Sequence, residues 1–109
     1  MDALLTALRA VAEPTRLRIF ALCAAGELTV SDLTRILGQS QPRVSRHLKL
    51  LTEARVLDRT PEGSWVFYRL ARDRGGDGRV DKLLDLLPMD DETLVLDRSR
   101  LADVKADRA

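Results

Sequence analysis

The sequence SQPRVSRHLKLL, residues 40 to 51, contains the strongest structural signal of this chain. Ser40 has the residue type of an N-cap, and Pro42 in the first turn gives up a backbone donor that a helix start leaves unpaired in any case. Three apolar side chains recur at helical spacing and must face a core: Val44, Leu48 and Leu51. The stretch therefore predicts a short helix with a defined start and one buried edge.

The opposite edge of this helix is basic, with Ser45, Arg46 and Lys49 projecting outward and Arg43 on the flank. Four of its side chains are able to reach base edges in a major groove: Gln41, Arg43, Ser45 and Arg46. The free N–H groups and dipole at the helix start also favour a phosphate. We name residues 40 to 51 the recognition helix. A solvated amphipathic helix is the alternative interpretation.

The segment just upstream predicts a partner helix over residues 29 to 37. Thr29 is its N-cap, and its apolar residues recur at helical spacing. Gly38 ends it and, with Gln39, forms a turn of the length that joins the two helices of a helix-turn-helix.

The segment just downstream predicts a β-hairpin. Residues 56 to 60 alternate like a strand, 61 to 64 form a turn, and 65 to 70 are rich in aromatic and β-branched residues. Arg59 and Arg69 lie on this hairpin, where they can meet the sugar-phosphate backbone of DNA. The predicted fold is thus mainly α with a small β-hairpin, an α+β winged helix-turn-helix.

Composition and charge are compatible with one small DNA-binding protein. The 109 residues are 45% hydrophobic and carry a formal net charge of +1. Residues 35 to 59 hold six basic and two acidic groups, whereas residues 72 to 109 hold eight basic and ten acidic groups. The charge is therefore polarised, with its positive part where DNA would lie.

The flanking segments predict further helices and a homodimer. A helix over residues 2 to 12 is interrupted at Glu13-Pro14, and a second helix runs from there to about Ala25. A further apolar stripe lies on a helix that ends before Pro88. The apolar stripes of this helix and of the first helix are larger than a small core can cover, so we expect them to form a two-fold interface through these residues: Leu4, Leu8, Val80, Leu83, Leu84 and Leu87. Packing within one chain is the alternative. We expect residues 1 to 88 to form the DNA-binding and dimerisation domain and residues 89 to 109 a helical extension or connector.

Several other classes of protein fit the sequence poorly. A membrane span needs about 20 apolar residues, and neither such a run nor a signal-peptide layout is present. Cys23 has no second cysteine to pair with and sits among apolar neighbours, which predicts a buried thiol in a reduced, cytoplasmic setting.

Two non-regulatory interpretations also fit parts of the sequence. A dinucleotide-binding βαβ unit is one interpretation, with strands over residues 65 to 70 and 93 to 96, glycines in residues 75 to 78, and Asp97 after the second strand. One such unit, however, cannot build a covered parallel sheet. A winged helix that binds only protein is a further alternative, which the basic recognition helix disfavours. We expect no enzyme activity.

Three spaced motifs, residues 13 to 19, 27 to 33 and 40 to 51, resemble the arsenical-repressor (ArsR/SmtB) family of bacterial winged-helix regulators over about residues 4 to 87. The resemblance implies a homodimeric repressor that binds an imperfect palindrome of double-stranded DNA and is released by an effector. It assigns Gln41, Arg43, Ser45 and Arg46 to the groove and the hairpin arginines to the flanks. Ser40 and Lys49 are assigned to phosphates.

The departures from the family pattern concern its metal sites. Thr29 and Ser31 stand where arsenic- and cadmium-sensing members have cysteines, and hydroxyls are poor ligands for soft ions. Zinc- and nickel-sensing members have histidines and carboxylates on the helix that closes the family domain. In this chain the corresponding segment has three aspartates and no histidine, a pattern that is typical of a solvated face: Asp77, Asp81 and Asp85. His47 is interpreted as a packing or hydrogen-bonding residue. We therefore expect no metal site and no cofactor, with a small-molecule effector instead.

The end of the chain gives one more expectation. Residues 98 to 109 favour a helix but lack a residue that would end it, so the segment looks cut. From Leu94 onward it resembles the connector of proteins in which a regulator of this family is fused to an S-adenosylmethionine-dependent methyltransferase. A DNA-binding lobe of such a fusion is thus the alternative function.

Overall fold

The computed structural model describes residues 1–72 and 77–108. Its helices and strands, in chain order, are α1 Asp2–Val11, α2 Pro14–Ala24, α3 Val30–Leu37, α4 Gln41–Glu53, β1 Leu57–Glu62, β2 Trp65–Leu70, α5 Arg79–Asp85 and α6 Glu92–Arg108. The order of α3, α4 and the antiparallel hairpin confirms the predicted winged helix-turn-helix. Within the described residues, no helix is long and apolar enough to cross a lipid bilayer.

Helix α3 is bounded by the caps that the sequence predicts. The Asp32 backbone N–H donates to the Thr29 hydroxyl at 3.1 Å, and the Thr29 N–H donates to the Asp32 carboxylate at 3.0 Å. This reciprocal capping box satisfies two N–H groups that a helix start otherwise leaves unpaired. At the other end Gly38 adopts a left-handed φ of 65°, which a residue without Cβ does at little cost. The turn into α4 is therefore fixed.

The hairpin turn is shorter than predicted. Glu62 pairs with Trp65, so the turn contains only Gly63 and Ser64, and Gly63 has a φ of 61°. The expectation that residues 61 to 64 form the turn was wrong for its first half, since Pro61 lies in β1 opposite Val66. Both strands of a two-stranded sheet are edge strands, where proline is tolerated because its missing N–H breaks no required bond. The hairpin is thus longer and more tightly turned than the sequence pattern indicated.

Helix α6 packs against α2 and α3, with Leu94, Leu101 and Val104 buried. This overturns the βαβ interpretation, which required a strand over residues 93 to 96. Asp91 instead accepts hydrogen bonds from the backbone N–H groups of Thr93 and Leu94 at 2.9 and 3.4 Å and so starts a helix there. Strand β2 also pairs antiparallel with β1, which a βαβ unit does not allow. Gly75 and Gly76 lie outside the described residues.

The expected dimer residues are placed in two different environments. Val80, Leu83 and Leu87 are buried in the core of their own chain, and Leu84 is partly buried against it. The expectation that nothing else covers this stripe was therefore wrong, because these residues belong to the same hydrophobic core as the buried residues of α2 and α6. On α1, Leu4 and Leu8 are 46% and 38% exposed. An interface through α1 stays a prediction.

Candidate nucleic-acid interface

The recognition helix, α4, has one buried edge and one exposed, basic edge. Val44, Leu48 and Leu51 are each 0% exposed, which fixes the rotation of the helix about its axis. The Ser40 hydroxyl accepts from the Arg43 backbone N–H at 3.4 Å, as an N-cap does. Because the buried edge is fully packed, the side chains on the outer edge are presented by a rigid element.

On the exposed edge, some of the predicted contact residues have a partner within the helix and others have none. Gln41 donates through Nε2 to the Ser45 hydroxyl at 3.1 Å, so these two side chains are already oriented by each other. Lys49 lies 3.9 Å from Glu53, an exposed i,i+4 pair that contributes little energy. In the part of the chain that the structure describes, the guanidinium groups of Arg43 and Arg46 have no hydrogen bond or ion pair. Each is therefore available for bidentate recognition of a base or a phosphate.

The hairpin places its two arginines differently. Arg59 is exposed on β1. Arg69, near the base of β2, donates from Nη1 to Glu27 Oε1 at 3.1 Å. The pair is exposed, so its opening costs little. Trp65 lies beside the turn and is 62% exposed, a wing-tip side chain that the strand pattern of the sequence did not single out.

A cleft of about 320 Å³ lies between α2 and α4. Its lining consists of Arg16, Arg43, Arg46, His47 and Leu50. The four lining residues of α4 recur at helical spacing, so the sequence already indicated that they share one face. The approach of Arg16, in contrast, depends on how α2 packs against α4. Arg16 is therefore a basic residue of this surface that sequence reasoning missed.

His47 sits at the floor of this cleft within a small charged cluster. Arg16 Nη1 lies 3.4 Å from His47 Nδ1, a geometry in which a neutral imidazole accepts from the guanidinium. The Glu13 carboxylate lies 3.9 Å from the same nitrogen. Burial lowers the pKa of His47 from its ordinary value of 6.5; Glu13 opposes this shift, and the arginines around it add to it. The structure thus places His47 in a hydrogen-bonding role beside the basic edge.

Three of the residues at the family's metal positions make other contacts, namely Thr29, Asp77 and Asp81. The Thr29 hydroxyl caps α3. Asp77 pairs with Arg79 at 3.1 Å and Asp81 with Arg72 at 3.2 Å. Over residues 1–72 and 77–108, no three His, Cys, Asp or Glu side chains come together as a metal-binding group.

Comparison with known proteins identifies relatives with the same kind of domain. Residues 13–59 match the family model described as bacterial regulatory protein, arsR family. The arsenical resistance operon repressor of Escherichia coli K12 is 50% identical over 62 residues, which span 56% of this chain and 53% of that protein. The chain thus spans about half the length of this curated relative.

Two further comparisons cover more of the matched protein. The transcriptional repressor SdpR of Bacillus subtilis 168 is 32% identical over 62 residues, covering 57% of this chain and 69% of the repressor. The solved structure of HlyU from Vibrio cholerae N16961 superposes with a TM-score of 0.68 at 28% identity, over 78% of this chain and 87% of HlyU.

Proposed function

This chain belongs to the arsR family of bacterial regulatory proteins, and we propose that it is a homodimeric transcriptional repressor that binds an imperfect palindrome of double-stranded DNA. The observation that carries the proposal is the division of α4 into a fully buried apolar edge and an exposed edge with two uncompensated guanidinium groups. A rigid helix of this kind fits the major groove, where arginine and glutamine side chains match the edges of guanine and adenine.

Each side chain of the interface has a proposed role. Gln41, Arg43, Ser45 and Arg46 contact base edges. The remaining contacts go to the sugar-phosphate backbone, from Ser40 at the N-terminus of α4, from Lys49 in its C-terminal half, and from Arg59 and Arg69 on the wing. Backbone contacts fix the register of the protein on the duplex, whereas base contacts give it sequence preference.

The test is selection of a binding duplex from a random library, followed by titration of variants on that duplex. Two copies of α4 in successive major grooves require half-sites about 10 base pairs apart. We expect Gln41→Ala and Arg46→Ala each to weaken specific binding by on the order of 1 to 3 kcal/mol per protomer. Lys82→Ala, which removes an exposed positive charge on α5, is the control and should leave affinity unchanged. Unchanged affinity in both α4 variants would refute the assignment.

We propose that the dimer interface is centred on α1. Leu4 and Leu8 are exposed there and lie one helical turn apart, so they form the start of an apolar stripe. Leu84 is the residue of the α5 stripe that its own chain covers least, and it borders the same interface in the proposal. A two-fold dimer places two recognition helices in a fixed relation, which the palindrome mirrors.

The proposed effector is a small organic or sulfur-containing molecule rather than a metal ion. This proposal is supported by the residue types at the family's metal positions, where Thr29 and Ser31 offer hydroxyls in place of thiolates. Release of the selected duplex by such a metabolite, in a titration at constant ionic strength, would support it.

We also propose that residues 89 to 109 act as a connector to a further domain. Its support is the resemblance of residues 94 to 109 to the connector of methyltransferase fusions. Since α6 packs on α2 and α3, a domain that follows it would be held close to the DNA-binding helices. Reading the gene downstream of the codon for Ala109 tests it.

A further inference from the structure

The cleft between α2 and α4 has an ordered floor and a basic rim. The side chains of Arg16 and His47 are 17% and 18% exposed and form the floor. Arg43 and Arg46 are exposed and form the rim. Cationic groups from two helices therefore converge on one volume that solvent can enter.

Arg16 is held in place before any ligand arrives. Its Nε donates to the Ala10 carbonyl at 2.6 Å and its Nη2 to the Arg9 carbonyl at 3.5 Å, both at the end of α1. These bonds leave Nη1 facing His47. A pre-oriented guanidinium loses little conformational entropy when it binds an anion.

Glu13 is the carboxylate nearest the cleft, 4.0 Å from Arg16 Nη1 and 3.9 Å from His47 Nδ1, so it offsets part of the charge on the floor but not that of Arg43 and Arg46 on the rim. Glu13 is the N-cap of α2 and accepts from the Arg16 backbone N–H at 2.8 Å, so its position is set by the helix start. Arg9 of α1 and Glu53 of α4 border Arg16 on its other side, in a neighbouring groove. Around the cleft itself, three guanidinium groups and an imidazole face one carboxylate.

We propose that this cleft seats one phosphate of the DNA backbone, bound at its floor by Arg16 and His47 beside the base contacts of Arg43 and Arg46. As the phosphate enters, His47 Nδ1 takes up a proton from solvent, and Arg16 Nη1 donates to the phosphate instead of to that nitrogen. The inference rests on the proposed function, because it assumes that α4 lies in the major groove. It adds Arg16 and His47 to the interface and makes DNA affinity depend on pH.

The direction of the pH dependence follows from the surroundings of His47. In the free protein, burial and the three arginines lower the pKa of its imidazole. A phosphate in the cleft adds negative charge, which favours the imidazolium and raises this pKa in the complex. Between the two pKa values binding takes up protons, so affinity rises as pH falls through that window and is constant above it.

The test is titration of a selected duplex from about pH 5.5 to about pH 8.5 at constant ionic strength, with the wild type and His47→Gln. His47 is the single histidine of the sequence, so imidazole titration has one source. We expect wild-type affinity to fall about three- to tenfold per protomer across the window, and His47→Gln to have no such dependence. Equal pH slopes in the two proteins, or a flat wild-type profile, would overturn the inference.

A second experiment leaves the protein unchanged. Single methylphosphonate substitutions along the duplex remove one phosphate charge at a time. One position per half-site should abolish the wild-type pH dependence and have no further effect on the pH profile of His47→Gln. If no position does so, the cleft does not seat a DNA phosphate. Failure of the wild type to select any duplex would instead contradict the proposed function itself.

Discussion

Arg18 and Asp97, 79 residues apart in the chain, form a bidentate ion pair that links α6 to α2. Arg18 Nε and Nη2 each donate to one Asp97 oxygen at 2.9 Å, and Asp97 is 1% exposed. The hydrogen bonds to Asp97 raise the pKa of Arg18 against the opposing effect of burial. A second pair joins Arg108 to Asp32 of α3 at 2.8 Å. The last helix is therefore an integral part of the folded body.

We expect Asp97→Ala to lower the free energy of unfolding by about 3 to 5 kcal/mol, since it leaves the Arg18 guanidinium without its partner in a largely buried position. Urea unfolding followed by circular dichroism measures the loss. Asp103→Ala, which removes an exposed carboxylate from the same helix, is the matched control and should change stability by less than about 0.5 kcal/mol. Equal unfolding midpoints for the two variants would contradict the importance of this pair.

The sequence predicted the elements whose signals are local. The caps at Thr29, Gly38 and Ser40 act on groups within a few residues of themselves, and the spacing of Val44 and Leu48 fixes a face within one helix. Each of these features could be recognised without knowing the rest of the fold. For the same reason the composition of the basic edge of α4 was available from the sequence, whereas its contact with DNA is still a proposal.

The features that escaped prediction depend on contacts between distant segments. Periodicity indicates that a face is apolar but not what covers it, so the burial of Val80 and Leu83 inside their own chain could not be distinguished from burial in a dimer. The approach of Arg16 to His47 joins residues 31 positions apart, and Arg18 to Asp97 joins residues 79 apart. Local patterns contain no information about such pairings.

The proposed dimer gives a prediction at α1. Leu8→Glu places a charge in the centre of the proposed interface, where its desolvation is costly, and should yield monomers that also lose affinity for the selected duplex. Sedimentation velocity at micromolar concentration measures the mass. Leu96→Glu changes a similarly exposed leucine on α6 and should stay dimeric. A monomeric wild type, or dissociation in the Leu96 variant alone, would move the interface away from α1.

Cys23 should be unreactive in the folded protein. Burial raises the pKa of its thiol from 9.0 to about 12, so the reactive thiolate is scarce at neutral pH as well as shielded. A shift of this size lowers the thiolate fraction by about a thousandfold, because each pKa unit is a factor of ten. Labelling with a thiol reagent should thus be slow in buffer and fast in denaturing urea. Fast labelling of the native protein would show that this part of α2 opens.

Metal ions should leave DNA binding unchanged. Soft ions need thiolates and borderline ions favour imidazole, whereas this chain has a hydrogen-bonded Thr29 hydroxyl and Ser31 at the position of the family's cysteines, and its Cys23 is buried. Zinc, cadmium and arsenite should each change affinity for the selected duplex by less than about threefold, or about 0.6 kcal/mol, which is below the usual range of allosteric coupling. The double variant Thr29→Cys, Ser31→Cys supplies two thiolates on one turn. If cadmium releases DNA from that variant and not from the wild type, these two positions account for the insensitivity of the wild type. Stoichiometric metal binding that releases DNA from the wild type would contradict the prediction and direct attention to Asp81 and its neighbours on α5.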